Sequence, residues 1–95
     1  MNILHQDGEK KGRFYTEDGL AEIVYSWFQP KGLIIEHTEV DPSLEGKGVG
    51  KQLVAALIGW ARDNEVRVIP LCPFAKALIS RKPEFQDVLF QPEKL

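Results

Sequence analysis

The stretch Val40-Asp41-Pro42-Ser43-Leu44-Glu45-Gly46-Lys47-Gly48-Val49-Gly50-Lys51 is where the hydrophobic period of this chain changes. Before it, residues 33–40 are rich in branched side chains and read as a β-strand. After it, Val49, Leu53, Leu57 and Ala61 recur every four residues, with Gly50, Val54 and Ile58 beside them. That spacing predicts an amphipathic helix over residues 48–63. Asp41-Pro42 stops the strand, and the three glycines lie between it and the body of the helix. Residues 66–71 then form a short apolar run bounded by Pro70, the pattern of another strand. Strand, helix and strand in this order make a βαβ unit, which requires parallel pairing and a right-handed crossover.

Toward the N-terminus, residues 11–28 read as a hairpin whose tight turn is marked by Asp18-Gly19. On the return strand, Ala21, Ile23, Tyr25 and Trp27 alternate with Glu22, Val24, Ser26 and Phe28, so the first set is the expected core face. Gln29-Pro30-Lys31-Gly32 has turn composition, and a three-stranded antiparallel meander is predicted ahead of the crossover. Toward the C-terminus, Pro73 opens and Pro83 ends a second predicted helix over residues 73–81. Val88-Leu89-Phe90 fits a short final strand. The expected fold is therefore α/β, a mixed sheet with antiparallel N-terminal strands, one βαβ crossover and a second helix.

With 95 residues there is enough chain for one core but not for two, so residues 1–95 are expected to form a single domain. A hydrophobic fraction of 43% and a charged fraction of 27% are those of a globular chain, with no membrane span or secretion signal in the pattern. The formal net charge of −2 argues against a nucleic-acid footprint, which calls for a basic face. One cysteine cannot form an internal disulfide, and with two histidines it matches no zinc spacing, so no metal is expected. The default expectations are a cytoplasmic protein and a monomer or weak homodimer, without nucleic-acid or membrane partners.

The glycine loop is the strongest functional signal. The first-turn amides of a helix have no intrahelical partners, and glycines let an anion approach the backbone closely. A Walker loop would need Gly at position 45 and Ser or Thr at 52, where Glu45 and Gln52 stand. A dinucleotide fingerprint would need Gly at position 51, where Lys51 stands, and a larger doubly wound sheet. A purely structural strand-to-helix turn is the bland alternative.

The flanking residues favour a ligand. The loop resembles the acyl-CoA pyrophosphate loop of the GNAT superfamily of acetyltransferases; Gly48 and Gly50 match its pattern, and Glu45 stands where Arg or Gln is usual. A closer resemblance, over residues 21–85, is to the small, minimal-domain GNAT-related subfamily. It is carried by Ala21 with Tyr25, by Ile35-Glu36-His37-Thr38-Glu39-Val40 and by Pro70-Leu71-Cys72-Pro73-Phe74-Ala75-Lys76. Arg81-Lys82-Pro83-Glu84-Phe85 is similar to that family's Arg-His-Pro-Glu-Tyr ending, with Lys82 for His and Phe85 for Tyr; Leu78 replaces a usual Tyr.

This resemblance implies a GNAT fold that binds acetyl-CoA between two splayed parallel strands and transfers acetyl to an amine. The coenzyme-binding residues expected are Gly46, Gly48, Val49, Gly50 and Phe74, with Thr38 and Val40 on the splayed strand; Lys47, Lys51 and Lys76 are individually ordinary exposed lysines and as a cluster around the glycine loop a source of charge for the diphosphate or the adenosine phosphate. A non-catalytic CoA-binding or sensing module is the alternative, and a scaffold with purely structural glycines a third. The residues themselves give one reason for a splay: Pro70 has no N–H to donate to a ladder, so unpaired amides are expected near Thr38 and Val40 on the facing strand.

Cys72 precedes Pro73 at the expected start of the second helix, where the helix dipole and Lys76 would favour a thiolate. It is either a small buried apolar residue or, as the subfamily resemblance implies, the reactive group, acting as nucleophile or as proton donor to the departing thiolate. His37 alternates with Leu33 and Ile35, so it is expected on their face and partly buried, as a structural histidine or as a base for the amine or for Cys72. Glu36 and Glu39 are expected on a solvated edge or face. Trp27, Phe28 and Trp60 fit core packing or an interface.

Overall fold

The computed structural model describes residues 2–90. Five strands form one sheet in the order β1-β2-β3-β4-β5: β1 (Ile3–Asp7), β2 (Lys11–Thr16), β3 (Ala21–Gln29), β4 (Gly32–Val40) and β5 (Arg67–Pro70). The first four form an antiparallel meander, and β5 pairs parallel to β4. Helix α1 (Val49–Asp63) makes the crossover, and α2 (Pro73–Arg81) follows β5. A short 3-10 helix, Pro42–Leu44, precedes α1, and another, Pro83–Val88, follows α2. Among the described residues no helix is long and apolar enough to cross a membrane.

The periodicities predict these elements for physical reasons that hold. Helix α1 buries Val49, Leu53, Leu57 and Ala61 together with Gly50, Val54 and Ile58, the stripe expected from the four-residue recurrence. Ala21, Ile23 and Tyr25 are buried on β3, and Trp27 packs against the same core beside Trp60. Phe28 instead lies on the other sheet face, 39% exposed and edge-on to Phe90. The Asp18-Gly19 turn forms with Gly19 at φ +77°, its N–H donating to the Thr16 carbonyl at 2.9 Å. Residues 88–90 add no strand: Leu89 makes one parallel bridge to Val68.

Strand β1 is absent from the sequence reading. Its residues show no alternation of burial, because it is an edge strand whose side chains stay mostly exposed. It is held by β2 and by a polar cluster projecting from β3. Tyr25 donates its hydroxyl to Asp7 Oδ1 at 2.7 Å, and Trp27 Nε1 donates to the same oxygen at 2.9 Å. His5 Nε2 lies 2.7 Å from the phenol oxygen, and its ring stacks on Phe14 at 4.0 Å. Gly12 sits opposite Tyr25 in the ladder, and any Cβ there would collide with the phenol.

A bulge in β4 decides which side chains face the core. Tyr25 pairs with Ile35 and Val24 with His37, so Glu36 has no partner and the alternation slips by one residue. Leu33, Ile35, Thr38 and Val40 therefore share the helix-covered face. His37 does not lie on the face of Leu33 and Ile35, as simple alternation predicts, but on the opposite, open face, with its side chain half exposed. Glu36, pushed out by the bulge, accepts from Ser26 Oγ at 2.7 Å and pairs with Lys11 at 3.3 Å.

Tyr25→Phe keeps the ring and removes the hydroxyl shared by β1. We expect a loss of about 1–2 kcal/mol in urea unfolding, with faster amide exchange over residues 3–7. Unchanged protection there would show that β2 alone holds β1.

Candidate functional site

The parallel ladder between β4 and β5 runs from Gly32 opposite Arg67 to Ile35 opposite Pro70 and stops. Beyond it, Leu71 and Cys72 both donate their N–H to the one Ile35 carbonyl, each at 3.1 Å, so the chain turns off the sheet there and enters α2. Strand β4 continues along β3 to Val40. The lapse expected from Pro70 is thus present, and the β5 side of residues 36–40 lies beyond the last ladder pair.

The β4–α1 loop is shaped by Gly46 and Gly48, at φ +79° and +73°, where other residues are strained. A Cβ built at either would meet nothing within 4 Å, so the loop's outer surface is open. Gly48 is the N-cap of α1 and no side chain caps the helix, which leaves its first-turn N–H groups without a capping partner. At Gly50 the need is different: a Cβ would come within 2.9 Å of the Phe74 ring, so glycine lets the starts of α1 and α2 approach.

Between these elements lies a cavity of about 690 Å³. Of the residues predicted from sequence, it is lined by Thr38, Val40, Gly46, Gly48, Val49, Gly50, Lys51 and Phe74. Lys47 and Lys76 are exposed and outside the lining. Lys47 sits between two positive-φ glycines that turn the loop sharply. On α2, Phe74, Leu78 and Arg81 share a stripe that faces the cavity, which puts Lys76 on the far side of the helix. Sequence reasoning missed Leu44, Glu45, Leu78, Arg81 and Lys82 as lining; the i, i+4, i+7 spacing from Phe74 was the available signal for two of them.

Cys72 is the N-cap of α2 and is 4% exposed. Its Sγ lies 3.4 Å from Thr38 Oγ1, so the thiol touches a wall residue of the cavity. Burial pushes the thiol up; the Thr38 hydroxyl and then the backbone N–H groups of Ala75, Phe74 and Thr38 pull it down by more, leaving it below its ordinary value. No full capping bond from the sulfur to α2 is formed. His37 is not brought to Cys72 or to the cavity lining; its Nε2 lies 3.8 Å from Glu39 on the open face. Glu36 and Glu39 are exposed, as expected.

The model of the GCN5-related N-acetyltransferase family matches residues 13–88. A GCN5-like protein of Staphylococcus aureus, solved by NMR, is 35% identical, with 94% of this chain and 89% of that one aligned at a TM-score of 0.71. The chain belongs to the GCN5-related N-acetyltransferase family. No curated protein matches it. Two further structures share the fold at lower identity. The ribosomal-protein-S18-alanine N-acetyltransferase of Escherichia coli is 18% identical, over 79% of this chain and 53% of that one, with a TM-score of 0.61. AAC(6')-Iy, in complex with the bisubstrate analogue CoA-S-monomethyl-acetylneamine, is 19% identical over 93% of this chain and 67% of that one, with a TM-score of 0.52.

GNAT enzymes use acetyl-CoA, and the residues present fit it. The uncapped start of α1 suits a diphosphate, and the apolar walls Val40, Leu44, Phe74 and Leu78 suit an alkyl arm.

The Cys72 thiolate is expected to be more populated at neutral pH than that of an ordinary thiol. In Thr38→Val the hydroxyl is lost and the titration midpoint, followed by thiolate ultraviolet absorbance, should move upward. An unmoved midpoint would remove Thr38 from the thiol's environment.

Proposed function

We propose that this GNAT-family enzyme moves the acetyl group of acetyl-CoA to an amine acceptor by way of Cys72. The observation that carries the reading is the contact between the Cys72 sulfur and Thr38, at the point where the cavity meets the splay of β4 and β5. Acetyl-CoA supplies an activated thioester. The first-turn N–H groups of Val49, Gly50 and Lys51 would hold its diphosphate, with Gly46 and Gly48 allowing close approach, and the free edge of β4 at Thr38 and Val40 would hold the amide-bearing arm.

The Cys72 thiolate attacks the acetyl carbon, the bond from that carbon to the coenzyme sulfur breaks, and the released thiolate takes up a proton from solvent. The acetyl group then rests on Cys72 as a thioester. The start of α2 favours the anionic sulfur before this step and again when it leaves. With the coenzyme filling the helix side, the acceptor approaches through the gap from the open sheet face. As the amine nitrogen replaces the sulfur of Cys72 its proton leaves through water, and His37, paired with Glu39 on that open face, receives it from there. A reactive thiol fits a reducing compartment, which supports the cytoplasm as the site of action. The single sheet with one continuous core supports a single functional domain.

Incubation with radiolabelled acetyl-CoA tests the covalent step. Label is expected on the wild-type protein, at Cys72, and none on Cys72→Ala, whose acetyl transfer should fall on the order of a hundredfold or more. Unlabelled wild type with full turnover, or a Cys72→Ala enzyme as fast as wild type, would refute an acetyl-cysteine.

A further inference from the structure

The wall of the cavity facing α1 is built by α2. Phe74, Leu78 and Arg81 line it along one stripe, and Lys82 follows at the end of the helix; Lys51 lines the same cavity from α1. Elsewhere three cations find carboxylates, Lys11 with Glu36, Arg13 with Glu22 and Arg62 with Asp87, while Lys31 and Arg67 donate to backbone carbonyls. Among the described residues, Lys51, Arg81 and Lys82 pair with no carboxylate. Glu45 is the single carboxylate in the lining, against these three cations.

Arg81 is also oriented. Its Nε donates to the Ala77 carbonyl at 3.3 Å, which leaves both terminal nitrogens for another partner. A helix C-terminus favours a nearby cation, and that accounts for a basic residue in the last turn of α2. It does not account for cations from two helices converging on one cavity. Nor does a diphosphate at the start of α1 require Arg81 and Lys82, because backbone amides serve it there.

We propose that Arg81 and Lys82 form a second anion subsite, for a phosphomonoester, and that its occupant is the ribose phosphate of the coenzyme. A phosphomonoester carries about −1.5 to −2 charges near neutral pH. Its charge adds to that of the diphosphate seated at the start of α1, and a guanidinium with two free nitrogens matches its oxygens. The inference rests on the coenzyme lying in this cavity, and it makes the far end of α2 the element that distinguishes CoA from dephospho-CoA, which lacks that phosphate.

Calorimetric titration of the whole protein with CoA and with dephospho-CoA tests it. Wild type is expected to bind CoA on the order of tenfold more tightly, with the preference shrinking as salt is raised. In the double variant Arg81→Ala, Lys82→Ala the two ligands should bind alike. The Arg81→Gln, Lys82→Gln pair, which keeps side-chain bulk, gives the same readout if the alanine pair unfolds. Equal affinities in wild type, or a preference that survives both double variants, would overturn the subsite while leaving the acetyl-CoA reading intact. Binding of neither ligand by wild type would overturn that reading as well.

Discussion

Strand β5 can pair with β4 only as far as a proline allows. Pro70 offers no N–H, and the next two amides crowd onto a single carbonyl, that of Ile35, so the sheet divides where its two parallel strands reach their carboxyl ends. Everything of functional interest follows from that division. It turns Cys72 off the sheet and into the cap position of α2, and it leaves the outer half of β4 as a free edge. Carboxyl ends of parallel strands are where ligands bind in open α/β sheets generally, because helices begin there and loops are free to diverge.

Both helices begin at that end, and Gly50 lets them do so almost in contact, with the Phe74 ring laid against it. Two positive helix ends therefore serve one small region. The start of α1 is bare backbone, suited to an anion that arrives from outside. The start of α2 has a thiol of its own, and there the same dipole acts on a resident sulfur, helped by the Thr38 hydroxyl. A fold this small has little room for an elaborate pocket, so its groups come from backbone ends and from a single turn-spaced stripe on α2.

Much of this is legible in the sequence. The stripe of α1, the proline limits of α2, the Asp18-Gly19 turn and the break at Pro70 are each set by local chemistry, and local chemistry is what a sequence displays. The glycine loop and Cys72 stood out for the same reason. Three features were not legible because they depend on partners. Strand β1 has no pattern of its own and exists through β2 and the Tyr25 hydroxyl. The face of His37 follows from a bulge, a register slip between two strands that neither shows alone. Charges were expected from Lys47 and Lys76 because they neighbour the motifs in sequence, whereas Arg81 and Lys82 reach the cavity through the turn of the helix.

The central claim is that the open start of α1 and the free edge of β4 together receive the coenzyme. Backbone amide NMR spectra of the protein titrated with CoA test it directly. The largest shifts are predicted at Gly46, Gly48, Val49, Gly50 and Lys51 and at Thr38, with little change at β1 and β2. Saturable binding whose shifts gather elsewhere, leaving that loop unmoved, would contradict the account.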